Sequence, residues 1–173
     1  LIRAILSPLG EIVSSRGNEN NDVGVPKTLL SGSETDAAFV LEMGMRGFGQ
    51  ITRLSRVAEP DIAVITNVGQ AHIGILGSRE NIAKAKSEIT SYLSPDGVVI
   101  IPFGDYILEK ALLEKWSGRI VRVEIEGFSL NWLDCNNEHF AFQDIEPDYI
   151  SQIDMQNNFI LFEGRKFKLP LEG

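Results

Sequence analysis

Ile62-Ala63-Val64-Ile65-Thr66-Asn67-Val68-Gly69-Gln70-Ala71-His72 is the stretch that decides the fold. Its first half is a short, continuous apolar run rich in β-branched residues, the pattern of a strand buried on both faces. Its second half loosens into amides and glycine before a histidine. Similar runs at Glu11–Ser14, Ala37–Glu42, Val98–Ile101 and Ile120–Ile125 alternate with helical periodicity at Leu1–Leu6, Gln50–Ala58, Arg79–Leu93 and Tyr106–Trp116. Strands that alternate with helices predict an α/β fold, a mostly parallel sheet flanked by helices. Beyond about Glu126 the helical pattern stops. Phe159 to Leu169 reads as a hairpin turning near Gly164, so residues 127–173 form a small antiparallel β extension on a core of residues 1–126.

A length of 173 residues suits a single domain with a sizeable core. The formal charge of −8, with Lys and Arg scattered, argues against a nucleic-acid backbone as partner. Cys135 is the only cysteine, which excludes an internal disulfide, and no apolar run approaches the ~18 residues of a membrane span. These features make the cytoplasm the default compartment; the residues are silent on oligomeric state, for which a monomer is the default. Leu1 to Leu6 reads as the middle of a helix without a cap, and the chain closes at Leu169-Pro170-Leu171-Glu172-Gly173 just after a strand-like run. Both ends read as cut.

In open parallel sheets, ligands collect beyond the carboxyl ends of the strands. Ala38-Phe39-Val40-Leu41 ends on Glu42, and the run from Ile62 leads to His72. A carboxylate and an imidazole at one sheet edge suit a divalent cation with phosphate; the alternative is a solvated strand end and an ordinary loop histidine. On the helix from Arg79, Ile82, Ala85, Ile89, Tyr92 and Leu93 make one apolar stripe at about 100° per residue. Lys86 falls about 40° from Ile82 and Lys84 on the opposite side. Lys84 is therefore solvent-facing, whereas Lys86 either snorkels outward or ends in a partly buried polar site. Asn20 and Asn21 lie in a turn-rich, amide-rich segment, Gly17 to Pro26, suited to a polar substrate or to a surface turn. Cys135 has no activating partner, His139 reads as exposed, and Trp116 and Trp132 read as packing residues.

GNENNDVGVPKTLL from Gly17, VLEMGMRGFGQI from Val40, PDIAVITNVGQAHIGILGS from Pro60 and ENIAKAKSEI from Glu80, in that order, resemble the central, P-loop NTPase-like domain of the Mur ligases. The match is strong from Leu1 to about Gly97 and weak beyond. NNDVGVP is the most discriminating piece and points to the branch that joins D-alanyl-D-alanine to UDP-N-acetylmuramoyl-tripeptide in peptidoglycan precursor synthesis. The resemblance implies ATP and Mg²⁺ as cofactors and an acyl-phosphate route. It implies Glu42 and His72 as metal ligands, Lys86 as a lysine carbamylated by carbon dioxide that supports the metal, and Asn20 and Asn21 as substrate-facing residues. Alternatives are a folylpolyglutamate-type or cyanophycin-type ligase of the same family, or a non-catalytic α/β binding module.

Two departures stand out. The family's glycine-rich phosphate loop, ending Gly-Lys-Thr, does not occur in these residues; Leu1 would fall inside the helix that it opens. Where the family often has Asn-Ala-Asp after a strand, Pro102-Phe103-Gly104-Asp105 stands instead, so no base-binding residue is assigned. The 173 residues by themselves are expected to show little or no ligase turnover.

Overall fold

The computed structural model describes residues 1–126, 146–154, 159–163 and 165–168. Trp132, Cys135, His139 and Gly164 lie outside the described residues. In chain order the elements are α1 (Ile2–Leu6), β1 (Ile12–Ser14), α2 (Gly24–Leu30), β2 (Ala38–Val40), α3 (Gln50–Ala58), β3 (Ile62–Val64), α4 (Ile73–Leu76), α5 (Arg79–Ser87), β4 (Val98–Pro102), α6 (Tyr106–Leu113), β5 (Arg119–Glu126), β6 (Tyr149–Asp154), β7 (Phe159–Phe162) and β8 (Arg165–Lys168). A 3₁₀ turn follows α1, and another, Glu88–Tyr92, continues α5.

The strands form two ladders. β1 and β2 pair in parallel by themselves, and β3-β4-β5-β6-β7-β8 form a six-stranded sheet. Within the latter β3, β4, β5 and β6 run parallel, then β7 and β8 turn antiparallel. The expected α/β architecture is therefore present, with two refinements. The antiparallel part begins after β6, because β6 still joins β5 in the parallel sense. The hairpin has the register Phe162↔Arg165, which leaves two residues for the turn, and Glu163 there takes a left-handed φ of 47°.

The apolar core joins the larger sheet to the helices. Val25, Met45, Ile51 and Leu54 from the α2–α3 side cluster with Ala63, Ile65, Val68, Val99 and Ile101 of the larger sheet and with Ile82, Ala85, Leu108 and Leu112 of α5 and α6. Val99 and Ile101 are buried at 0% and 2% exposure, as befits a strand with partners on both sides. Trp116 packs against this core, as its packing role predicts.

Two expected strands end early for a shared reason. The run from Ile62 leaves the ladder after Ile65 donates to the carbonyl of Ile100. Beyond that point side chains take over the backbone polar groups, which must find partners somewhere. The run from Ala37 ends at Val40, and the Glu42 amide donates to Ser15 Oγ at 3.0 Å. The helix expected over Arg79–Leu93 tightens to 3₁₀ at Glu88, and this rotates Tyr92 out of the apolar stripe to 42% exposure while Leu93 stays buried.

Candidate functional site at the carboxyl ends of the strands

Glu42 is exposed just after β2, between the half-buried Leu41 and Met43. Its Oε1 accepts a 2.8 Å hydrogen bond from Asn20 Nδ2, so the carboxylate is held by the amide-rich segment after β1. The same asparagine fixes the following turn: the Gly44 amide donates to the Asn20 carbonyl at 2.7 Å. A Cβ on Gly44 would lie 2.9 Å from the Asn20 side chain, closer than real Cβ contacts allow. Glycine at position 44 is thus a steric condition for the Asn20–Glu42 bond. Asn21 has a different duty. Its Oδ1 accepts from the amides of Val23 and Gly24 at 3.1 and 2.9 Å, an Asx turn that opens α2.

Lys86 is half-buried on α5. Its neighbours Ile82, Ala83, Ala85 and Ser87 are all at or below 1% exposure, while Lys84 is exposed and lies 3.9 Å from Glu114. The buried arc of the helix is wider than the apolar stripe of the sequence, because Ala83 and Ser87 are covered as well. Lys86 sits inside this arc. Its Nζ donates a 2.6 Å hydrogen bond to the carbonyl of Asn67, at the carboxyl end of β3. Burial holds the Lys86 amine below the ordinary lysine range, opposed by attraction to Asp105.

The segment from Asn67 leads to His72, which is exposed and adopts a left-handed φ of 68°. Its carbonyl receives the amides of Ile75 and Leu76, so His72 begins α4 as a backbone cap with its ring outside the helix. Upstream, the Val68 amide donates to Asp105 Oδ2 at 3.1 Å and the Val68 carbonyl accepts from Arg79 Nη2 at 3.2 Å. Asp105, only 3% exposed, also accepts from the Leu108 amide through Oδ1 at 3.2 Å and so caps α6. Burial raises the Asp105 carboxyl above the usual aspartate range, against the pull of its two amide donors and of Arg79 and Lys86.

Of the five residues singled out in the sequence, Asn20 and Glu42 are joined directly. Lys86 and the segment carrying His72 are joined through Asn67. Asn21 Oδ1 is turned to helix capping. No hydrogen bond links Glu42 to Lys86 or His72 among the described residues, but Leu41 and Met43, which flank Glu42, pack on the same core as Ile65 and Val68. Nor do three His, Cys, Asp or Glu side chains gather into a cation site among the described residues; the third member of the set expected here is an amine. Sequence reasoning missed Ser15, Arg79 and Asp105 as supports. For Asp105 a signal existed, an aspartate three residues before the buried Leu108 at a helix start, but its reach to Val68 is not encoded locally.

The model of the Mur ligase middle domain matches residues 1–158. A Synechocystis UDP-N-acetylmuramoyl-tripeptide--D-alanyl-D-alanine ligase is 42% identical over all 173 residues, which cover 34% of that protein. The Bacillus subtilis ligase of the same name is 46% identical over 114 residues, 66% of this chain and 24% of that protein. Among solved structures, a MurF crystal structure from Acinetobacter baumannii superposes with a TM-score of 0.70 at 29% identity, over 96% of this chain and 32% of the other. The chain thus spans about a third of the length of the Synechocystis relative. On the extent of the domain match and the identity to these relatives, the chain belongs to the Mur ligase middle domain family.

Proposed function

We propose that this chain is the central domain of an ATP-dependent ligase that joins D-alanyl-D-alanine to UDP-N-acetylmuramoyl-tripeptide, working as a monomer in the cytoplasm. The observation that carries this reading is Lys86: a half-buried amine, weakened as a base, held at the strand end that leads to His72. In this reading ATP phosphorylates the terminal carboxylate of the tripeptide, the amine of D-alanyl-D-alanine attacks the acyl phosphate, and phosphate leaves. Positioning and cancellation of phosphate charge carry such chemistry.

Glu42 and His72 fit Mg²⁺ as a hard carboxylate fixed by Asn20 and an exposed ring on the segment that follows β3. When bound, that ion supplies charge neutralisation for the phosphates. The chain's own residues do the rest. A depressed basicity leaves more of the Lys86 amine unprotonated, and only the free amine adds carbon dioxide. The nitrogen–carbon bond forms, a proton leaves to solvent, and a carbamate anion replaces the cation. Asn20 keeps the Glu42 carboxylate in one rotamer. With Asn21 Oδ1 engaged by α2, its Nδ2 is the part that faces substrate in this reading.

The test is twofold. With [¹³C]bicarbonate, the chain is expected to show a carbamate carbon resonance that Lys86→Ala removes and Lys84→Ala keeps. A chimera carrying these 173 residues in place of the matching third of the Synechocystis relative is expected to release phosphate from ATP only with UDP-N-acetylmuramoyl-tripeptide and D-alanyl-D-alanine together. A folded chimera that turns over a folate substrate with glutamate instead overturns the substrate assignment.

A further inference from the structure

Asn67 and Val68 share one peptide group, and both of its polar ends are engaged by side chains from other elements. The carbonyl accepts from Lys86 Nζ of α5 at 2.6 Å, and the N–H donates to Asp105 Oδ2 at the start of α6 at 3.1 Å. In a trans peptide these two groups point to opposite sides, and the described chain has no cis bond. Lys86 and Asp105 therefore flank the peptide, a cation on its negative end and a carboxylate on its positive end. Both charges favour the same orientation of the peptide dipole; the bond to Asp105 is buried, the bond from Lys86 exposed, and each is charge-assisted.

We propose that Asp105 is a positioning residue for the Lys86 amine, acting through the Asn67–Val68 peptide group. This rests on the reading of Lys86 given above and extends it. Asp105 fixes the plane of the peptide, the peptide fixes where the Asn67 carbonyl points, and the carbonyl fixes Nζ. Its second oxygen holds the Leu108 amide, so the β4–α6 turn, the β3 exit and α5 are brought to one point. The Arg79 bond to the Val68 carbonyl secures the next peptide in the same direction.

Asp105→Asn and Asp105→Ser separate this role from helix capping. Both residues cap helices well. The amide has one acceptor oxygen for two donors, and serine is too short to serve Val68 as well as Leu108. Two readings are taken on the 173-residue chain: amide hydrogen exchange at Val68 and Leu108, and acetylation of Lys86 relative to Lys84 by N-hydroxysuccinimidyl acetate, followed by peptide mass spectrometry. Loss of one hydrogen bond to a charged group predicts exchange at Val68 about tenfold faster or more, with Leu108 still protected, and a several-fold rise in the Lys86-to-Lys84 ratio as the amine is released. A purely capping role would leave that ratio where it is. An unchanged ratio in both variants overturns the proposal, even where Val68 exchange rises. Absence of a ¹³C carbamate at Lys86 in the unsubstituted chain overturns the carbamate reading instead, and the acetylation ratio still decides whether Asp105 positions the amine.

Discussion

At the scale of single residues, two lysines two positions apart on one helix have opposite fates. Lys84 faces water beside Glu114, while Lys86 is half-buried and reaches the Asn67 carbonyl. Burial lowers the Lys86 pKa, so its free amine is available at lower pH than that of an exposed lysine. A pH series of reductive methylation should place the midpoint for Lys86 below that for Lys84; coincident midpoints would contradict the buried placement. Asp105 shifts the other way. A carboxyl whose folded pKa is raised binds more protons folded than unfolded, so its contribution is greatest at acid pH and is lost as pH rises through the folded value. Urea unfolding of the wild type and of Asp105→Asn should therefore show the difference moving in favour of the variant between acid and neutral pH. Asp105→Ala removes the cap and the Val68 acceptor together, and about 3 kcal/mol of lost stability is expected.

At the scale of elements, carboxylates fasten the helices to their neighbours. Glu88, 5% exposed, accepts from the amides of Gly49 and Thr52 at 2.7 and 3.2 Å, and so stoppers the N-terminus of α3 from the 3₁₀ turn after α5. Gly49 has a φ of 78°, a conformation that glycine adopts without strain. Glu88→Ala leaves two amides without their acceptor and should cost about 2–4 kcal/mol by chemical denaturation. On the other side, Glu109 of α6 pairs with Arg122 of β5, Nε to Oε1 at 2.8 Å, both largely buried. Among the described residues, removing Glu109 leaves the largely buried Arg122 with only its longer contact to Asp148, at 3.9 Å. Glu109→Ala is expected to destabilise by about 2–3 kcal/mol, while a double replacement by apolar residues of similar volume costs less. Equal losses for the single and double variants would sink that account.

At the scale of the molecule, the strands divide into a two-stranded and a six-stranded ladder. The larger sheet has β4 inside it, with Val99 and Ile101 buried, whereas β1 and β2 each have a single partner. Local stability follows burial and ladder completeness. Native-state hydrogen exchange should find β4 among the slowest amides and β1–β2 opening at lower free energy; uniform protection across both ladders would be the contrary result. No helix among the described residues is long and apolar enough to cross a membrane.

What the chain encodes locally was readable from its residues. Continuous β-branched runs marked the parallel strands, but cover on both faces, expected for the run from Ile62, does not hold for β3: Ile62 and Val64 are 60% and 41% exposed while Ala63 and Ile65 are buried. Helical spacing separated Lys86 from Lys84, since a 100° step is enough to assign faces. The four family motifs gave the kinship. Tertiary structure alone decided the lengths of β2 and β3, the division into two ladders, the turn of Asn21 Oδ1 towards α2, and the meeting of Lys86 and Asp105 at one peptide group. Those outcomes depend on partners distant in sequence: Ser15 for Glu42, Glu88 for Gly49, Asp105 for Val68. A local pattern records which face a residue prefers, but a buried backbone group takes whichever donor or acceptor the packed fold brings within reach.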